Sequence, residues 1–261
     1  MMARRTGRTA ALALCVLVFA ATGCGTSSGD RTEILVSAAS SLTDCLQDIK
    51  ARYEEGRRVT VNLNFGSSGA LRRQIEQGAA ADLFIPADGK NMEQLIERKL
   101  IDESRQTALL SNELVVVAPA DSDIRIDSID QLLREPVRHI AIGDPETVPS
   151  GAYAREALER LGIWESVQRV AVYGNTVRQV LAYVETGNAD AGFVYRTDAI
   201  ASDRARTVYT VEPSLHSPIL YHVGIIRESE HRDEAEDFYR YLQGSEAREV
   251  FLACGFGVIG N

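Results

Sequence analysis

The sequence predicts an α/β protein of two lobes with a cleft between them. From residue 33 onward, strand-like and helix-like stretches alternate, the pattern of sheets flanked by helices. The alternation runs through two successive series, and a final strand and two helices then return to the first. Lobe I is therefore expected to take residues 33–112 and 222–261, and lobe II residues 113–221, each built on a mainly parallel sheet. A leader, 1–23, and a linker, 24–32, precede them.

The leader carries Arg4, Arg5 and Arg8, then an uncharged apolar run from Ala10 to Ala21, then Thr22-Gly23-Cys24. A basic start and a run too short for a comfortable membrane span make an export signal. Ala21-Thr22-Gly23-Cys24 resembles the bacterial lipobox, with alanine where leucine is commoner. That resemblance implies cleavage before Cys24, acylation of its thiol and a tether through the flexible Gly25–Asp30 stretch. Simple secretion after Ala20 or Ala21 is the alternative. Arg4-Arg5 lacks the rest of a twin-arginine signal.

The first unit reads as strand Glu33–Val36, a small-residue turn Ser37-Ala38-Ala39-Ser40-Ser41, and a helix with Leu42, Cys45, Leu46 and Ile49 on one face. The second repeats the design: Val59–Phe65 alternates apolar and polar residues, Gly66-Ser67-Ser68-Gly69 turns, and Leu71, Gln74 and Ile75 fall at helical spacing. Ser67 or Ser68 is suited to the N-cap, and Gly66 and Gly69 to close backbone approach. If the two strands are parallel neighbours, both helix N-termini open at the carboxyl edge of one sheet, where such sheets bind ligands. Unpaired first-turn amides at the positive end of a helix dipole suit an oxyanion. Ordinary capping is the alternative for each turn taken singly.

A short buried strand, Asp82–Ala87, and a helix, Met92–Lys99, follow. The apolar run Glu113–Pro119 fits a central parallel strand that also crosses between lobes. The second series has helix Ile129–Arg134, strand His139–Ile142, helix Tyr153–Leu161, strand Val170–Tyr173, helix Val177–Glu185 and strand Ala191–Tyr195. Ser150, and Asn175 or Thr176, are candidate N-caps there. Asp144 and Glu146 stand near a helix start, where acids serve the dipole. Strand Ile219–Ile226 and helices Glu234–Leu242 and Ser245–Ala253 close the chain.

The full chain of 261 residues is 45% hydrophobic and 25% charged, ordinary for a globular protein. Without the leader's arginines, 25 basic face 37 acidic residues. Nucleic acid is a poor partner for such a surface, and an anion site must rely on local dipoles in a small desolvated pocket. His139, His216, His222 and His231 are scattered, and no metal-ligand motif is present. With Cys24 acylated, Cys45 and Cys254 remain in an oxidising compartment; they form a disulfide or two small buried apolar positions.

From Ile34 to about Val258 the chain resembles the periplasmic molybdate-binding proteins of molybdate ABC transporters. The resemblance rests on Ala39-Ser40-Ser41-Leu42-Thr43, Gly66-Ser67-Ser68, Ala81–Ile85, Leu114–Pro119, Gly143–Ala154 with its GDPE-x-VP-x-G-x-Y run, Val177-Arg178 and Gly192–Ala199. It implies the two-lobe, type II solute-binding fold, closing on a tetrahedral oxyanion, molybdate or tungstate. It assigns as ligands Ser41 and Ser68 through hydroxyl and amide, Ser150 and Val177 through amides, and Tyr195 through its phenol. It implies no cofactor, a permease as partner, a monomer, and a place outside the cell membrane. Serine stands at 150 where the family commonly has alanine, and glycine at 69 where many members have serine. The rival readings are a binder of another oxyanion such as sulfate, a serine hydrolase, which needs a base beside Ser41 or Ser68, and the sensing domain of a transcription regulator, which needs a DNA-binding segment instead of an export signal.

Overall fold

The computed structural model describes residues 31–134 and 136–259. The leader, Cys24 and all but the end of the expected linker lie outside the described residues. β1 (Thr32–Ala39) passes through a 3-10 turn at Ser40–Leu42 into α1 (Thr43–Glu54). β2 (Val59–Gly66), α2 (Ser68–Glu76), β3 (Leu83–Ile85), α3 (Gly89–Glu97) and β4 (Ile101–Ser111) complete the first series. The second holds β5 (Leu114–Pro119), β6 (Ile140–Gly143), α4 (Pro149–Arg160), α5 (Trp164–Gln168), β7 (Ala171–Gly174), α6 (Val177–Glu185), β8 (Ala191–Tyr195), α7 (Arg196–Ile200) and β9 (Ala205–Thr210). β10 (Leu220–Ile226), α8 (Arg232–Leu242), α9 (Ser245–Ala253) and β11 (Gly257–Val258) return. The segment Ile129–Leu133, expected as an α-helix, is a 3-10 turn.

The strands form two sheets, ordered β11-β4-β10-β3-β1-β2 and β7-β6-β8-β5-β9. Both are mixed, where mainly parallel sheets were expected. β1 runs parallel to β2 and β3, and β6 to β7 and β8. β10, however, is antiparallel to β3 and β4, and β5 to β8 and β9. These are the two strands that carry the chain from one sheet into the other. Each enters from the edge at which its new neighbours end, so it must run against them. The apolar run at β5 reflects burial on both faces, Leu114 to Ala118 being at most 1% exposed, and not parallel pairing. The returning strand begins at Leu220, ahead of the expected boundary at 222.

Periodicity places the helices. On α6, Val177, Val180, Leu181 and Val184 are all buried, and on α1 Cys45, Leu46, Ile49 and Tyr53 are. Each such side chain contributes about 1.5–3 kcal/mol when fully withdrawn from water. The structure joins Cys45 of α1 to Cys254 at the end of α9 by a disulfide, with Cα atoms 6.3 Å apart. Among the described residues no helix is long and apolar enough to cross a membrane.

Candidate functional site

The register of the first sheet builds half of the site. β1 pairs with β2 in parallel so that Ala39 lies opposite Gly66, which sets Ser40-Ser41 beside Ser67-Ser68 at one edge. Ser67 takes the N-cap position of α2 without a side-chain cap bond, and Ser68 is the first helical residue. Ser68 Oγ instead accepts a hydrogen bond from Ala87 N–H at 3.0 Å, leaving its own proton free to donate. Ser41 Oγ lies 2.8 Å from the hydroxyl of Tyr221.

The second sheet supplies the other half. α4 begins earlier than its apolar face implies, with Val148 as N-cap and Pro149, whose fixed φ suits the first helical position, ahead of Ser150. Ser150 is thus inside the first turn and is not its cap. Thr176, not Asn175, caps α6, accepting from Gln179 N–H at 3.1 Å, and makes Val177 the first helical residue. Asp144 shapes the loop before α4, accepting from Glu146 N–H and from the Thr147 hydroxyl. The carbonyl of Thr147 then accepts from Gly69 N–H of α2 at 3.0 Å, closing one lobe on the other. First-turn amides have no intrahelical acceptor, and among the described residues no other hydrogen bond reaches the amides of Ser41, Ser68, Ser150 or Val177.

Ser41, Ser68, Ser150, Val177 and Tyr195 line one small cavity of about 10 Å³, far below the roughly 300–1,000 Å³ of sites for drug-sized molecules. No residue lining it is charged. The hydroxyls of Ser150 and Tyr195 are buried in its wall without any hydrogen-bond partner. Buried polar groups are otherwise nearly always paired, because an unpaired one costs about 1–3 kcal/mol, so two at one cavity mark a place for a ligand that accepts. Burial holds the Tyr195 phenol well above its ordinary pKa, keeping its proton available to donate. A larger groove beside Asp82 and His231 opens to solvent; among the described residues no buried side-chain polar atom is left unpaired there, and Asp82 accepts from Leu35 N–H and the Ser229 hydroxyl.

The model of the bacterial extracellular solute-binding protein family matches residues 34–257. The molybdate-binding protein ModA of Escherichia coli (strain K12) is 41% identical over 240 residues, which are 90% of this chain and 92% of that protein. The chain belongs to the ModA family of solute-binding proteins. YvgL of Bacillus subtilis (strain 168), a proposed ABC transporter substrate-binding lipoprotein, is 44% identical over 232 residues, 88% of each chain. The periplasmic molybdate-binding protein of Azotobacter vinelandii has the same two-lobe fold, with a TM-score of 0.80 at 24% identity over 87% of this chain and 100% of that one. ModA-family proteins bind solutes and are not enzymes. The partners of Ser41 and Ser68 are a phenol and an amide, neither of them a base that could activate a nucleophile.

Within this ModA-family chain, Gly151 follows Ser150 for a steric reason. A Cβ there would lie 3.0 Å from Gly143 Cα and closer still to the Gly143 carbonyl. Both partners are backbone, so no rotamer relieves the overlap. Gly151→Ala is expected to cost about 1–3 kcal/mol or more and to displace the Ser150 amide; a melt unchanged from wild type would contradict this packing.

Behind the cavity Arg178 reaches Asp44 of the first lobe and lies 2.9 Å from the buried carboxylate of Asp198. Its Nε–H is not aimed along that line, so the contact is a charge pairing and not a well-formed hydrogen bond. Burial pushes the Asp198 carboxyl up to about 6, with Arg178 opposing. Between the unfolded value of about 3.9 and this one, the native state holds a proton that the unfolded chain has released. The stability Asp198 contributes is therefore fully present below about pH 4 and lost as pH rises through about 6. Melting wild type and Asp198→Asn across that window should give a gap that changes with pH; a constant gap would refute the assignment. Tyr221, Ala87 and Asp198 are parts of the site's support that pattern reading does not mark as such.

Proposed function

We propose that this chain captures molybdate in the cavity between its lobes, and tungstate in the same manner, and delivers the anion to the permease of an ABC transporter. The observation that carries this reading is the pair of buried, unpartnered hydroxyls, Ser150 Oγ and Tyr195 OH, in a cavity without a charged group. The proposed donors are the hydroxyls of Ser41, Ser68 and Tyr195 and the amides of Ser41, Ser68, Ser150 and Val177, to which Ser150 Oγ adds one more. A deprotonated tetrahedral dianion satisfies such a set. Hydrogen bonds to a charged group are worth about 1.5–3 kcal/mol each before ordering costs, so the set supports binding without an arginine. Hydrogen phosphate carries a proton that needs an acceptor, and the proposed set offers it no carboxylate, only hydroxyl oxygens that would have to give up donating to the anion. Sulfate has the charge and shape of molybdate but is smaller, and spans the donors less well. Titration calorimetry of the purified chain is expected to show strong binding of molybdate and tungstate, weak binding of sulfate and negligible binding of phosphate. Phosphate binding as tight as molybdate binding would overturn the reading.

The chain is proposed to act as a monomer held outside the cell membrane by a lipid on Cys24. The sequence before the linker and the lipoprotein relative YvgL support the anchor. Cys24→Ala is expected to move the protein from the membrane fraction to the soluble one, and metabolic labelling with a fatty acid should mark the wild type alone. A wild type without lipid would refute the anchor.

A further inference from the structure

Ser41 is held from behind by a chain of hydrogen bonds that starts where the polypeptide crosses between the lobes. Asn112 sits in the short link between β4 and β5, and its own amide donates to the Ile219 carbonyl ahead of β10. Its side chain has one possible orientation. Oδ1 accepts from Glu113 N–H at 2.9 Å, and because a backbone N–H only donates, this end must be the oxygen. Nδ2 therefore points the other way, donating to Thr197 Oγ1 at 2.9 Å and reaching the Tyr221 hydroxyl at 3.4 Å. The Tyr221 oxygen is thus the acceptor in that contact. Tyr221 is fully buried, and its proton has one acceptor among its partners, Ser41 Oγ at 2.8 Å. With that lone pair occupied, the proton of Ser41 is left facing the cavity. Each group donates to the next, from Asn112 to Tyr221 to Ser41 to the ligand.

We propose that Asn112 and Tyr221 are positioning residues for anion selectivity, which hold Ser41 as a donor and so keep its hydroxyl from accepting the proton of an oxyanion that carries one. The inference rests on the oxyanion-binding reading above. Ala87 N–H does the same for Ser68 through the backbone, while Ser150 Oγ and Tyr195 OH are held by no partner, so of the two held hydroxyls Ser41 is the one that a side-chain substitution can free.

Tyr221→Phe removes the hydroxyl and keeps the ring, which packs edge-on against Tyr195 and Phe256 with centroids 5.8 and 5.3 Å away. In this variant Ser41 is free to rotate and to accept. Molybdate affinity is expected to fall about tenfold, the cost of losing roughly one oriented hydrogen bond. The decisive readout is competition against bound molybdate by phosphate and by sulfate. Phosphate should gain on molybdate by about tenfold, and sulfate, which has no proton, should not gain. Asn112→Ala should move the phosphate ratio in the same direction, and it decides the matter if Tyr221→Phe fails to fold. A purely structural role would weaken all three anions alike, and an unchanged phosphate-to-sulfate ratio in the folded variants would overturn the inference. A wild type that binds neither molybdate nor tungstate would overturn the functional reading itself, and the inference with it, before any variant is made.

Discussion

Tyr195→Phe is expected to weaken molybdate binding about tenfold to a hundredfold while leaving the unliganded protein as stable as before, or slightly more so. The hydroxyl is buried and has no partner in the protein, so its removal takes nothing from the fold and relieves an unpaired polar group. What is lost is a hydrogen bond made only when the anion arrives, worth about 1.5–3 kcal/mol to a charged acceptor. Ser68→Ala should differ in kind. It removes a donor of the same strength, and it also strands Ala87 N–H, whose acceptor is Ser68 Oγ, at a stability cost of about 1–3 kcal/mol. Titration calorimetry and thermal melts of the two variants separate these effects. A destabilised Tyr195→Phe, or unchanged affinity in either variant, would remove that residue from its proposed place.

Reducing the disulfide between Cys45 and Cys254 is expected to destabilise the protein by about 5 kcal/mol in the chain-entropy model, since it closes a loop of 209 residues. Both ends lie in one lobe, where α1 packs against α9, so the bond ties the returning tail to the first helix of the chain. A Cys45→Ser, Cys254→Ser double variant should unfold at a markedly lower denaturant concentration than the wild type. Two free thiols in the unfolded, non-reduced wild type would show that the bond is not made.

The legible parts of the fold are those whose burial is one-sided and regular. The stripe on α6 and the strand-turn-helix units at β1 and β2 could be read because a helix or strand with one buried face must repeat its apolar residues. β4 and β9 were missed. Glu103-Ser104, near the start of β4, are exposed and its middle is only half-buried, and β9 lies at the edge of its sheet, with only its first residue buried. Such strands are held by backbone pairing, which any side chain allows, and so leave little trace in the sequence.

The same distinction runs through the site. The small residues after β1 and β2, the Pro149 that starts α4 and the Thr176 that caps α6 are local choices with local physics, and by themselves they set helix starts whose amides are unpaired. The sequence alone also shows no metal-ligand motif and an excess of acidic residues, which left local dipoles and hydroxyls as the expected anion donors. Only the tertiary structure decided that the five candidate residues share one cavity, that the hydroxyls of Ser150 and Tyr195 find no partner in its wall, and that Ser41 is turned by Tyr221, 180 residues away. Hydrogen-bond direction depends on which donor arrives from across the fold, and nothing in the spacing of residues along a chain records that meeting.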